Sequence, residues 1–132
     1  MKPTALRLAL ICYGIMFVGI VLSADRGGKH FWDFLNAIPL GDKLGHLCLV
    51  GTFSLLANLA LKGRRAPGRL SWMMLGTLVI ATLMTLEESS QAFFPTRTLD
   101  GLDELANLSG AALGEVAARF LLRRKVAPAI AG

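Results

Sequence analysis

Four apolar stretches separated by polar ones set the layout of this chain. Residues 8–24 hold 17 positions without a charge, behind Lys2 and Arg7. Residues 44–61 form the second stretch, with His46 near its start and Asn58 near its end. Residues 70–94 form the third, and from 71 to 86 it contains no charged side chain. The fourth runs over about 104–122, where Ala106, Gly110, Gly114 and Ala118 recur every four residues. A membrane helix needs about 20 apolar residues to cross a hydrocarbon layer of roughly 30 Å. The pattern therefore predicts an all-α integral membrane bundle of four transmembrane helices, with spans near 6–24, 44–61, 70–94 and 104–122. At 1.5 Å per residue the third would be about 37 Å long. Pro95 ends it, and Asp100 or Asp103 is placed to cap the fourth. The small residues of the fourth form the stripe that lets membrane helices approach closely. Glu115 and Arg119 stand four apart on the same helix and can neutralise each other.

Composition supports this layout. The chain has 132 residues, 54% of them hydrophobic and 17% charged, with a mean hydropathy of +0.56. Soluble domains carry about 25% charge. Length allows a single domain over 1–132. The first stretch has two readings. A basic start, an apolar core and Ser23-Ala24 fit a cleaved signal peptide. A retained span is favoured, because three further apolar segments need partners in a bundle.

Charge adds orientation. The N-terminus, the turn at 62–69 (Lys62, Arg64, Arg65 and Arg69) and the end at Arg123-Arg124-Lys125 are basic, while 25–43 and 95–103 are mixed or acidic. Basic loops stay in the cytoplasm. Both termini are therefore expected there, in the bacterial cytoplasmic (inner) membrane. The net charge of +5 does not imply nucleic acid, since no helix has a basic face. His30, Phe31, Trp32 and Phe34 suit the headgroup layer. Cys12 and Cys48 lie in apolar runs with no metal or redox spacing and read as small buried hydrophobes.

The candidate chemistry falls at one end of this arrangement. Asp42, Lys43, His46, Glu87, Glu88, Gln91, Arg97, Asp100, Asp103 and Asn107 all map to the outward ends of the second, third and fourth helices. Glu88 and Gln91 share a face at i,i+3, as do Glu87 and Gln91 at i,i+4. Asp103, Asn107, Gly110 and Gly114 share a face of the fourth. Ionisable groups inside spans are rare and face partners or cavities. These faces converge on a polar pocket open to the outside, or on a structural tie between helices. Arg97 is either a headgroup anchor or a two-pronged clamp on carboxylate or phosphate.

The order Asp42-Lys43-x-x-His46, Glu88-x-x-Gln91, Pro95-x-Arg97 and Asp100-x-x-Asp103-x-x-x-Asn107-x-x-Gly110-x-x-x-Gly114 resembles the signature of the VanZ-like family. The resemblance covers 42–114. The family consists of small bacterial membrane proteins, and its founding member is associated with resistance to teicoplanin. The resemblance thus implies an envelope membrane protein linked to glycopeptide resistance. It names no reaction. An aromatic common after the family histidine is absent here, where residues 47–51 stand instead.

Three functional classes follow. The first is recognition or modification of an anionic lipid headgroup or cell-wall precursor, with Asp42, Lys43, His46, Glu88, Gln91, Arg97, Asp100, Asp103 and Asn107 as ligand-binding residues. The second is an intramembrane enzyme with His46 and Glu88 as acid/base groups. No nucleophile elbow, zinc-protease motif or phosphate loop accompanies them. The third is a structural or oligomeric transport helper, because four short spans leave little room for a pore in one chain. No metal and no cofactor is expected, as His46 alone is a thin ligand set. The partners expected are the bilayer and, for transport, further copies of the chain.

Overall fold

The computed structural model describes residues 3–25, 37–95 and 98–126. They form helices α1 (Pro3–Asp25), α2 (Gly41–Ala60), α3 (Leu75–Ser90) and α4 (Gly101–Val126). Short 3₁₀ turns occupy Gly68–Leu70 and Gln91–Phe93. The described residues contain no strand, only an isolated antiparallel bridge between Arg65 and Met74. Three helical segments, Thr4–Ser23, Gly41–Ala60 and Gly101–Arg124, are long and apolar enough to cross a membrane. His30, Phe31, Trp32, Phe34 and Arg97 lie outside the described residues.

The third helix is shorter than the sequence predicts. α3 has 16 residues, about 24 Å at 1.5 Å each. Its start is delayed because the chain before it folds back on itself. The Ala66 N–H donates to the Met73 carbonyl at 3.0 Å, and the Leu75 N–H to the Arg64 carbonyl at 2.7 Å. Gly63 and Gly68 make these turns at φ +71 and +62, a region where a side chain would be strained. At the far end Phe94 is extended, with φ −111 and ψ 122. A residue before proline avoids the helical region, so Pro95 acts one residue before itself.

The bundle buries polar side chains beside a small apolar core of Val50, Ala57, Ile80, Met84 and Ala111, and its outside is apolar. Ser54, Asn58, Thr77, Glu88, Gln91, Asn107 and Glu115 are buried, while Leu8, Ile11, Ile15, Val18, Leu113, Val116 and Phe120 are exposed. In water that arrangement would waste the hydrophobic effect. In a hydrocarbon solvent it is the stable one, since buried polar groups then find protein partners. Cys12 and Cys48 correct the expectation of buried cysteines. Both are exposed, on this apolar exterior.

Helix α2 is the centre. Among the described elements α1 packs on α2 alone, and the most extensive contact is between α2 and α4. Tyr13 on α1 donates to the Leu49 carbonyl at 2.8 Å, and its ring and that of Phe17 lie 5.5 and 5.7 Å from Phe53. α2 and α4 run parallel at very close range. A Cβ on Gly110 would stand 2.5 Å from the Leu47 carbonyl oxygen, and one on Gly114 2.9 Å from the Leu55 nitrogen. The predicted small-residue stripe is this contact, and Gly51 supplies its other side.

The N-terminus of α3 has no side-chain cap of its own. Its free N–H groups are capped from the other helices. The Thr77 N–H donates to Asn58 Oδ1 on α2 at 3.2 Å, and the Met74 N–H to Glu115 Oε2 on α4 at 3.0 Å. Asn58 Nδ2 also donates to Thr77 Oγ1 at 2.8 Å. A carboxylate at a helix N-terminus is favourable to the dipole. Arg119 holds Glu115 from its own helix, through Nε at 2.8 Å. The i,i+4 pair expected from the spacing thus has a third member, Met74, at the N-cap of α3. Asn58→Ala leaves the Thr77 amide buried without an acceptor. The expected loss is about 1–3 kcal/mol, read as a lower unfolding temperature of the purified protein in detergent. An unchanged temperature would show that water replaces the cap.

Candidate functional site

The start of α2, the end of α3 and the start of α4 meet at one end of the bundle. Lys43 is its centre. Its ammonium lies 2.5 Å from Asp100 Oδ2, 2.5 Å from Asp103 Oδ1 and 2.9 Å from Asp42 Oδ2. Asp42 is its neighbour in sequence, while Asp100 and Asp103 come from 57 and 60 residues away. One turn further along α2, His46 Nδ1 is 2.9 Å from Asn107 Oδ1, and Nε2 is 3.8 Å from Asp103 Oδ2. The parallel register of α2 and α4 builds these pairs, with 43 beside 103 and 46 beside 107.

The α3 residues join through its last turn. Glu88 is 3% exposed. Its Oε1 accepts the Asp100 N–H at 2.9 Å, and its Oε2 accepts from Gln91 Nε2 at 2.9 Å. Gln91 also reaches both oxygens of Glu87 at 3.3 Å. Both same-face pairs predicted on this helix are therefore formed. Glu88 holds the loop ahead of α4, and Asp100 then caps α4 by accepting the Leu102 N–H at 2.8 Å. Of the two candidate caps, Asp100 takes the role, and Asp103 is left to face Lys43.

Electrostatically the described part of the site is acidic. Asp42, Glu87, Glu88, Asp100, Asp103 and Glu104 belong to the network, against Lys43 and the imidazole of His46. Lys43 holds the Asp100 carboxyl below the usual carboxylate range, and the Leu102 N–H adds to this. Glu104 carries no spacing signal in the sequence. It accepts from Thr85 Oγ1 at 2.5 Å, and its other oxygen is buried with no partner. Asn107 Nδ2 is likewise buried without an acceptor. Between α3 and α4 lies a cavity of about 220 Å³ lined by Thr85, Glu88, Ser89, Asp100 and Glu104 among others.

His46 and Glu88, the candidate acid/base pair, engage different partners: Asn107 and Asp103 for the one, Gln91 and the Asp100 amide for the other. Ser89 and Ser90 donate to the carbonyls of Thr85 and Glu87 on their own helix. Among the described residues no group of three or more His, Cys, Asp or Glu side chains is arranged to hold a metal ion.

A second polar layer sits deeper, where Ser54 Oγ donates to the Ala111 carbonyl at 2.8 Å and touches Asn58 and Thr77. Its sequence signal is weak but present. His46, Val50, Ser54 and Asn58 follow one another every four residues on the inward face of α2. No family model, no curated protein and no solved structure matches this chain. The VanZ-like resemblance rests on the residues within 42–114 themselves.

Proposed function

We propose that this is a VanZ-like protein of the bacterial cytoplasmic membrane, with four spans and both termini inside, whose acidic end opens outward and binds an envelope lipid headgroup or cell-wall precursor. The basic turn at 62–69 and the basic termini support the orientation. The observation that carries binding over a mere tie is the cavity. A cluster serving only to fasten helices would close on itself. Here Glu88, Asp100 and Glu104 line about 220 Å³ of space between α3 and α4.

The lining also refines the ligand. Lys43 is already neutralised by three carboxylates, so it has little left for an anion. The part of the ligand that enters between α3 and α4 is its hydroxyl- or ammonium-bearing part, which donates to the carboxylates. Its phosphate or carboxylate falls to Arg97. A ligand carrying both groups fits the envelope location and the link to glycopeptide resistance that the resemblance implies.

Arg97→Lys keeps the charge and loses the planar fork. Glu88→Gln keeps the shape and loses the charge. Both variants are expected to reach normal levels in the membrane and to lose lipoglycopeptide tolerance by tenfold or more. Loss of the protein itself in both would make the cluster a structural tie. Normal levels with full tolerance would remove these residues from the site.

A further inference from the structure

We infer that a groove on the opposite, basic half of the bundle binds one anionic phospholipid, with an acyl chain between α1 and α3 and its phosphate on Arg7. The inference concerns a surface separate from the acidic site, and it shares with the proposed function only the membrane setting. α1 leans on α2 alone, so α1 and α3 stand apart with α2 as the floor. The gap holds about 510 Å³ and is lined by Leu10, Phe53, Ala57, Val79 and Leu83, with Arg7 as the charged member of its lining. This volume is within the range of ligand sites, roughly 300–1,000 Å³.

Physical chemistry limits what fills it. The lining is apolar, so water is disfavoured there. The groove is open along one side, so a chain from the surroundings can enter it. Hydrocarbon chains are the solvent around this surface. Arg7 then selects among them. It is the cation at the groove, and Ala60 and Leu61, just ahead of the basic turn at 62–69, line the same end. A guanidinium pairs with phosphate through two parallel hydrogen bonds. A zwitterionic headgroup brings its own ammonium to compete for that phosphate, and an anionic headgroup does not. A second copy docking through its own α1 would bring no acidic side chain to Arg7, since none stands between residues 4 and 23 of that helix.

The test uses the full chain in nanodiscs of phosphatidylglycerol and phosphatidylethanolamine in equal amounts, followed by native mass spectrometry after release. The wild type is expected to retain one phosphatidylglycerol, at least fivefold over phosphatidylethanolamine. Arg7→Gln is expected to abolish that preference. Val79→Trp, which fills the groove at an exposed position, is expected to release the lipid with Arg7 intact. Extraction resistance of each variant from membranes is measured in parallel, so that loss of insertion is separated from loss of the lipid. No retained lipid in the wild type, equal retention of both lipids, an unchanged preference in Arg7→Gln, or a lipid-free dimer would each overturn the inference.

Discussion

Gly110→Ala and Gly114→Ala are expected to lower the amount of folded protein sharply, and the double variant to remove it. The reason is what the added methyl meets. At Gly110 it falls 2.5 Å from the Leu47 carbonyl oxygen and 3.1 Å from the Gly51 nitrogen. At Gly114 it meets the Gly51 carbonyl and lies 2.9 Å from the Leu55 nitrogen. These are backbone atoms, so no side chain can turn away. The two helices must separate, and overpacking of this kind costs about 1–3 kcal/mol per site. Separation also pulls apart Lys43 from Asp103 and His46 from Asn107, so the loss exceeds the steric part alone. Gly19→Ala in α1 is the control, since nothing lies within 4 Å of its added Cβ. Thermal unfolding in detergent reads the difference. Equal stability of all three single variants would show that α2 and α4 slide apart freely.

Lys43→Met is expected to have the next largest effect. It leaves Asp42, Asp100 and Asp103 facing one another without a cation. Breaking a fully buried ion pair costs about 3–5 kcal/mol. Asp42 and Asp100 are 47% and 38% exposed and Asp103 is 15% exposed, so solvent screens much of the interaction and the loss falls below that of a fully buried pair. The pH dependence tells the mechanism. The Asp100 carboxyl is held below its ordinary value by Lys43. Its stabilisation is therefore present above the unfolded value of about 3.9 and lost as pH falls through the lower folded value. The wild type should lose stability on going from pH 6 to pH 3 and below. In Lys43→Met the sign reverses over the same window, because protonation relieves repulsion between the carboxyls. The same acid sensitivity in both proteins would show that Lys43 is not the partner that matters.

Much of the candidate site is legible in the order of its residues. The rule that ionisable and amide groups in apolar helices face inward puts Glu88, His46 and Asn107 on converging faces, and each is engaged there. The i,i+3 and i,i+4 spacings of Glu87, Glu88 and Gln91 become hydrogen bonds, because neighbours on a helix surface are set by the helix alone. Lys43 is the contrary case. In the sequence it is one polar residue among ten. Its central position depends on α4 running parallel to α2, which puts Asp100 and Asp103 beside it.

Local composition and a period of 3.6 residues are enough to dictate the all-helical layout, the apolar exterior, the acidic and basic ends and the glycine stripe. Both are properties of a single segment of chain. The packing of the helices was needed to settle that α3 begins at Leu75, that Asp100 rather than Asp103 caps α4, and that Asn58 and Glu115 cap α3. Packing also settled that a cavity and a groove remain open. The reason is common to all of them. A buried donor or acceptor must find a partner, but which one it finds depends on helices that approach from 12 to 61 residues away.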